Sequence, residues 1–563
     1  MHRLAVTYRR LGEYKRSENL EVTVLERWTK LLGEDHPNTL RAMGNLSSTY
    51  SDLGDFANAK KLQVLVLGAQ TKLLGENHPE TLTAMGNLAA SHSDLGNFEK
   101  AKELKVAVLE KRTILLGVNH PETLSAMGSL ATTYFKLGDF GKAKQFQDTV
   151  LEKRIRLLDE DHPETLKAMA NLAVTHSELG DFKKAEALEV TVLTKRTTLL
   201  GEDHPETLTA MGNLAATYSG LGNFEKAREL KVAVLRKRST LLGKDHPETL
   251  TAMGNLAATH SELGQFKEAR GLELTVLEKR ITLLGEDHPD TLFAMGNLAT
   301  THSELGDFVK AKELRLIVLE KQTTLRGEDH PETLKAMKNL AMSHSDLGDF
   351  EGAKKLEALV LERFTKLLGE DNPDTLRAMG NLAVTHSILG DFMKAKDLQV
   401  IVLEKRTKLL GTDHPDTLRT LGNLVVTYSN LGDFIKAQQL ADTVLEKRTK
   451  LLGMDHPETL SAISSLATTY FKLGNFGKAK ELQVTALEKL VQVQGDDDPQ
   501  TLNTMFNLAV TCFSQGEFDR AVGLASVVVE KQRKVLGDQH LDTINTMQTL
   551  EVMHRVQNSK TAS

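Results

Sequence analysis

The 563-residue chain contains a single cysteine, Cys512. No disulfide can form within it, which excludes a disulfide-stapled secreted fold and favours a reducing, cytoplasmic setting. No apolar run approaches the roughly 20 residues that a membrane-spanning helix needs. Aromatic residues make up only 5% of the chain, with one tryptophan, so a core has to be filled by Leu, Val, Ala and Met. Basic residues do not predominate: 70 Lys and Arg stand against 76 Asp and Glu, for a net charge of −6. That balance offers no bulk basic field to a nucleic acid. Proline is scarce too, and its placement is informative. The 12 prolines, from Pro37, Pro79 and Pro121 to Pro499, recur every 42 residues.

Twelve near copies of one 42-residue unit therefore fill the chain. The length would otherwise predict about four domains, but stacked repeats form one continuous solenoid whose units touch only their neighbours. The copy around Asp203–Leu242 shows the physics. Pro205 opens a helix, where its missing N–H costs nothing. Asp203 and His204 are candidate N-caps, and Glu206 completes a capping box with Asp203. Leu208, Met211, Leu214, Ala215 and Tyr218 form one apolar helical face. Leu221-Gly222 ends the helix, with the glycine in a left-handed C′ position. A second, longer helix carries Phe224, Ala227, Leu230, Val234, Leu235, Leu241 and Leu242 as its apolar set and stops at Gly243. One such hairpin cannot bury its own apolar face, and the next copy must cover it. All twelve units keep Leu at the place of Leu214, Gly at Gly222, Phe at Phe224 and Ala at Ala227, as close-packed neighbouring helices require. Two departures test this scheme. Asp159 stands where a unit ends in glycine, a position expected to be left-handed helical, and Arg326 replaces a terminal leucine, which predicts partial exposure there.

The L-x(7)-G-x-F-x-x-A pattern resembles the tetratricopeptide repeat. The longer unit, with L-G-x-D-H-P between hairpins, N-L-A in mid-helix and V-L-E-K-R in the second helix, is similar to kinesin light chains and to the arrays of fungal NLR-type proteins. The resemblance covers nearly the whole chain. It implies an all-α, right-handed superhelix of stacked hairpins whose first helices line a concave wall.

Residues 1–33 are expected to hold an incomplete unit, in which Leu4, Tyr8, Gly12 and Tyr14 match Leu46, Tyr50, Gly54 and Phe56. No signal peptide is read there, and a longer parent chain is expected upstream. Residues 34–537 hold the twelve tandem units. Residues 538–557 form a capping helix with Ile544, Met547 and Leu550 on its core face, and 558–563 form a frayed tail.

Candidates for chemistry reduce to packing. His36, His78, His120 and their counterparts lie one hairpin apart, whereas zinc needs three or four ligands at about 2 Å; helix capping is the expected role. A second histidine set (His92, His176, His260, His302, His344, His386) shares its place with Tyr50, Tyr134, Tyr218, Tyr428 and Tyr470, as hydrogen-bonded interface rings. The Gly138–Lys142 stretch lacks the spacing of a phosphate loop. No nucleophile elbow, H-E-x-x-H helix or pair of catalytic acids is present. No catalytic residue, metal or cofactor is expected.

The implied concave wall carries the binding expectation. Asn45, Asn87, Asn171, Asn213, Asn255, Asn297, Asn339, Asn381 and Asn423, with Asn507, share one position that only Ser129 and Ser465 interrupt. An amide donates and accepts, so such a ladder could hold an extended main chain; alternatively each amide is solvated or bonded to the next repeat. Eight units place glycine beside it (Gly44, Gly86, Gly212, Gly254 and others), a costly mid-helix choice for which close helix packing is the expected cause and an approaching ligand the alternative. Variation concentrates two places before the Met-Gly pair, where Phe293 stands out, and at Ala90, Val174, Met342 and Val510 on the same wall; a changing lining suits a reader of polypeptides, and drift of exposed positions is the alternative. Lys335, Lys338, Arg377 and Arg419, in three consecutive units, form a cluster resembling carboxylate-binding tetratricopeptide domains, or else merely solvated charge. The favoured function is non-catalytic binding of a protein or peptide, with acidic groups facing this cluster and no nucleic acid or membrane involved. It would serve as an adaptor or as the sensing array of an NLR-like protein. The alternatives are a kinesin-light-chain-like cargo adaptor (although no heptad segment is present), the repeat region of an enzyme whose catalytic domain lies outside the chain, or a structural spring.

Overall fold

In the computed structural model, which describes residues 2–10 and 13–561, the described residues form 27 helices and no strand. Each complete unit opens with a 16-residue helix such as Pro205–Gly220 and continues into a longer helix of 19 residues, such as Phe224–Leu242, or of 18 in the last two units. Pro205 sits in the first turn as expected, but the cap differs. His204 alone is the N-cap, and its Nδ1 accepts from the Glu206 backbone N–H at 3.2 Å. Asp203 instead pairs with Lys237 at 2.6 Å, and the Glu206 carboxylate lies 3.4 Å from Arg196. No capping box forms, because both acids bind cations of second helices.

The first helix ends in a Schellman motif. The Asn223 N–H donates to Tyr218 O at 2.8 Å and the Gly222 N–H to Ser219 O at 2.9 Å, with Gly222 at φ +72°. The second helix ends differently: Gly243 has φ 90° and ψ 161°, an extended conformation open essentially only to glycine. Asp159 adopts it at φ 74° and ψ 177°. The expectation of a left-handed helical residue there is thus corrected, and Asp159 is the one non-glycine with positive φ among the described residues.

Packing crosses unit boundaries. Leu166, Met169, Val192 and Ala210 form one cluster drawn from three helices of two units. Each fully buried Leu or Val contributes about 2 kcal/mol of transfer free energy. The invariant alanine (Ala227 and its equivalents) is wholly buried, so a larger side chain there would push two helices apart. Leu241 and Leu242 are exposed rather than core. Between hairpins lies a polar slot that the periodicity did not single out. Glu21, Lys105, Glu189, Glu273 and Arg315 are buried there and meet a Thr or Ser of the next first helix, as in Thr49 Oγ1 to Glu21 Oε2 at 2.6 Å and Arg315 to Ser343 Oγ at 2.7 Å, while the equivalent Gln63 donates to Ser47 of its own hairpin at 3.0 Å.

The stack also touches itself a full turn away, which corrects the expectation that units meet only their neighbours. Helix-starting prolines in the second half of the chain, from Pro289 to Pro499, seat against helix-ending glycines 235 residues earlier. A Cβ on Gly54 would fall 2.6 Å from Pro289 Cδ. The capping side chain locks the contact: the ring Nε2 of His288 bonds Asp52 O at 3.1 Å, that of His414 bonds Glu178 O at 2.8 Å, and Asn372 Nδ2 donates to Leu137 O at 3.0 Å. Since Nδ1 accepts the cap bond, Nε2 carries the hydrogen and donates. Arg326 is partly exposed, as expected, in the same junction, with its guanidinium 4.9 Å from the Phe56 ring centroid.

At the C-terminal side, the last helix spans Leu541–Thr561. It buries Thr543, Thr546 and Met553 and packs Leu550 against the core, while Met547 is exposed. Residues 558–561, expected to be tail, are helical; 562 and 563 lie outside the described residues, as does Gly12 of the first, incomplete unit.

Candidate functional site

First helices of units one superhelical turn apart face each other across shared cavities. One cavity of about 780 Å³ has Val174, Asn213 and Ala216 on one side and Lys338, Met342, Arg377, Asn381, Val384, Arg419 and Asn423 on the other. A second, of about 810 Å³, is lined by Phe293, Asn297, Lys335, Lys338, Asn339 and Arg377, among others. A small pocket that shares Phe293 and Asn297 with the second cavity adds Asn255. These volumes suit small ligands or short stretches of polypeptide.

The amides of Asn213, Asn255, Asn297, Asn339, Asn381 and Asn423 thus line these cavities. Asn87 and Asn171 are exposed outside these cavities, and Asn45 is half-buried and engaged. None of the six cavity-lining amides forms a side-chain hydrogen bond among the described residues, whereas Asn507 donates to Asn503, one turn back on its own helix, at 3.4 Å. The glycines beside them correct the expectation of close helix packing. A Cβ on Gly44, Gly86, Gly212, Gly254, Gly296, Gly380 or Gly422 would meet nothing within 4 Å. Helix packing therefore does not demand them; they open the wall. Phe293 projects from it with 65% of its surface exposed, and Val174, Met342 and Val384 add an exposed apolar strip.

The basic cluster is brought together, but mostly in pairs. Lys335 holds Glu332 at 3.0 Å, Arg377 holds Asp374 at 3.4 Å, and Arg419 holds Asp416, each within one turn of its own helix. Only Lys338 has no such partner. It replaces the usual glycine in mid-helix, and burial, then Arg377, pushes its ammonium below the ordinary lysine range. Behind the wall, buried Arg406 is lowered to about 10 by desolvation. Burial alone would raise Asp416, but Arg419 and Arg406 hold it below the usual carboxylate range. Across the junction, burial raises Glu178 against the pull of Arg377. The lining thus mixes both signs with amides and apolar side chains, and Lys338 is the member of the basic cluster without an ion pair of its own among the described residues.

The two histidine sets divide by role. The capping set bonds backbone only, as described above. In the other, His302 Nδ1 lies 3.2 Å from Asp307 and His344 Nδ1 2.7 Å from Asp349, each acid standing just before the second helix of its hairpin; burial lowers the His302 ring.

Two family models described as tetratricopeptide repeat match the chain. One matches residues 1–67, 48–111, 122–195, 420–490 and 458–530, and the other residues 207–248, 249–290, 333–374 and 375–416. The chain belongs to the tetratricopeptide repeat family. Solved structures similar to this tetratricopeptide array include nearly identical TPR-like repeats of a Podosopora anserina protein assigned as a kinesin light chain. That structure and a singly substituted variant of it are 27% identical to the chain, with TM-scores of 0.32 and 0.33, and each likeness covers 36% of this chain and 97% of the other. BtubC (BKLC) from P. vanneervenii is 21% identical with a TM-score of 0.35, over 41% of this chain and 92% of its own. None of the curated proteins compared with the chain matches it. No described helix of the array is long and apolar enough to cross a membrane.

Proposed function

We propose that the array is a non-catalytic scaffold that holds an extended polypeptide along the inner wall of its superhelix. The observation that carries this reading is the row of unpaired amides from Asn213 to Asn423, all but Asn339 beside glycines that leave open space. Each amide can accept from a backbone N–H and donate to a backbone C=O, so the row grips main chain with little regard to sequence. Phe293, Met342 and Val384 then select apolar side chains, and Lys338 selects a carboxylate through a charge-assisted bond. Lys335, Arg377 and Arg419 contribute by exchanging their own carboxylates for those of the ligand, which costs more than binding at a free cation. The wall serves a cytoplasmic sensing array of an NLR-like protein and a cargo adaptor equally; these roles differ in what is attached to the array.

The test is selection of displayed random peptides on the immobilised chain, followed by affinity measurement on a variant carrying Asn213→Ala, Asn297→Ala, Asn381→Ala and Asn423→Ala. Loss of the four amides should weaken enriched peptides at least tenfold, with helicity unchanged by circular dichroism. Failure to enrich any peptide, or undiminished affinity in the variant, would overturn the reading.

A further inference from the structure

In seven units the second helix carries an arginine at one place, as Arg196 and Arg448 do, and it clamps the start of the next hairpin. Its Nη1 donates to the backbone carbonyl of the acid ten residues on, at 2.7 to 3.2 Å in every case. Five of the seven also hold that acid's carboxylate, at 2.7 to 3.5 Å. Gln322 stands at this place in the unit that begins at Pro289. Its side chain is too short to make the clamp. Among the described residues no side chain donates to Glu332 O, and the Glu332 carboxylate pairs with Lys335 on its own helix. Gln322 is 6% exposed, and its Oε1 has no partner. It lines the 810 Å³ cavity together with Glu332, Lys335 and Phe293. Gln70 and Gln532 repeat the exchange outside that cavity, whereas Phe364 and Leu490 fill the place with buried apolar side chains.

We infer that the gap beside Gln322 is a subsite for an arginine side chain of a bound polypeptide, whose guanidinium takes the place that seven other units fill from within. This rests on the polypeptide reading above and adds what the polypeptide must carry. The acceptors are those the sister arginines use, Glu332 O and its carboxylate, with Gln322 Oε1 besides. A planar fork of donors meets several acceptors at once, which a compact ammonium does not. Lys335 leaves the place open: Arg419 holds Asp416 in the same way while Arg406 still donates to the Asp416 carbonyl at 3.0 Å. The cavity is lined by five acids and five bases, so an entering cation meets no excess of its own sign. The exposed Phe293 ring in the same cavity supplies an aromatic face of the kind on which a guanidinium stacks.

Saturation-transfer NMR of the 563-residue chain with the N-acetylated amides of arginine, citrulline and lysine tests the subsite. Citrulline keeps the shape of arginine without its charge. The arginine compound should bind roughly tenfold more tightly than either of the others. Gln322→Arg restores the clamp of the seven sister units, and Gln322→Leu copies Leu490; each should abolish that preference with helicity unchanged by circular dichroism. Peptides selected on the chain should carry arginine, and its exchange for citrulline should weaken them roughly tenfold on the unmodified chain and not at all on Gln322→Arg. Equal binding of the three compounds, or a preference that survives Gln322→Arg, would overturn the subsite whether or not any peptide is selected. A preference for the arginine compound, with peptides enriched that lack arginine, would assign the place to a free guanidino compound and overturn the polypeptide part of the inference. Failure to enrich any peptide overturns the polypeptide reading itself, and the comparison of the three compounds still decides the subsite.

Discussion

Replacing Glu189 by glutamine should stabilise the middle of the array at pH 8 and leave it unchanged at pH 4. Glu189 occupies the polar slot between two hairpins with 3% of its surface exposed. Thr217 donates to it, but burial outweighs that bond and raises the carboxyl to about 7, while its Oε2 has no partner. In the unfolded chain the same group titrates near 4.5. The folded state therefore keeps a proton that the unfolded state releases. The resulting stability is present in full below pH 4.5, declines as pH rises toward 7, and is absent above it. The gap between the two values corresponds to about 3 kcal/mol at most, and local relaxation and water entry reduce it to about 2 kcal/mol. Glutamine removes this penalty without crowding, because Gln63, Gln147, Gln399 and Gln483 fill the same slot elsewhere, and Thr427 donates to Gln399 Oε1 at 2.8 Å. A long array does not unfold as one unit, so a global unfolding free energy is ill-defined. Amide hydrogen exchange over Phe182–Leu200 and Pro205–Gly220 reads the local effect. At pH 8, Glu189→Gln should slow exchange there about thirtyfold relative to the unmodified chain, and at pH 4 the two should coincide. Equal protection at pH 8, or an equal gain at pH 4, would refute the reasoning.

Asp159→Gly should stabilise the junction after the Phe140–Leu158 helix by about 1 kcal/mol, since the backbone there suits only glycine. The bond from the Asp161 N–H to Asp159 Oδ1 at 2.8 Å offsets part of the gain, and exchange rates of the flanking helix measure it. His414→Ala should cost about 1 kcal/mol more than His204→Ala, because both lose a helix cap but only His414 also loses its bond to Glu178 O. Exchange in the two units, compared in dilute protein, reads the difference, and equal losses would contradict the inter-turn lock.

The fold was legible because the repeat states its own packing rules. Pro205, Gly222 and Ala227 each mark one steric demand, and periodicity placed Leu208 and Leu214 inside. Sequence reasoning failed where a residue answers to something far along the chain. His204 and His414 sit in identical local motifs, yet only the second meets another turn, and no local pattern encodes a contact 236 residues away. The polar slot was missed for a related reason: Glu, Gln, Lys and Arg alternate there, and a varying charged position reads as surface until its neighbour is known. Of the candidate site, the amide row was found from its recurrence. Which amides share a cavity, and that Asp374 and Asp416 already occupy Arg377 and Arg419, depended on superhelical pitch and side-chain reach.

The most direct test of the central claim is photo-crosslinking of a selected peptide to chains carrying a benzophenone side chain at Val384, on the inner wall, or at Met393, on the following second helix. Crosslinking at Val384 and none at Met393 is the predicted result. Crosslinking at Met393 alone would place the ligand on the other helix layer and contradict the account.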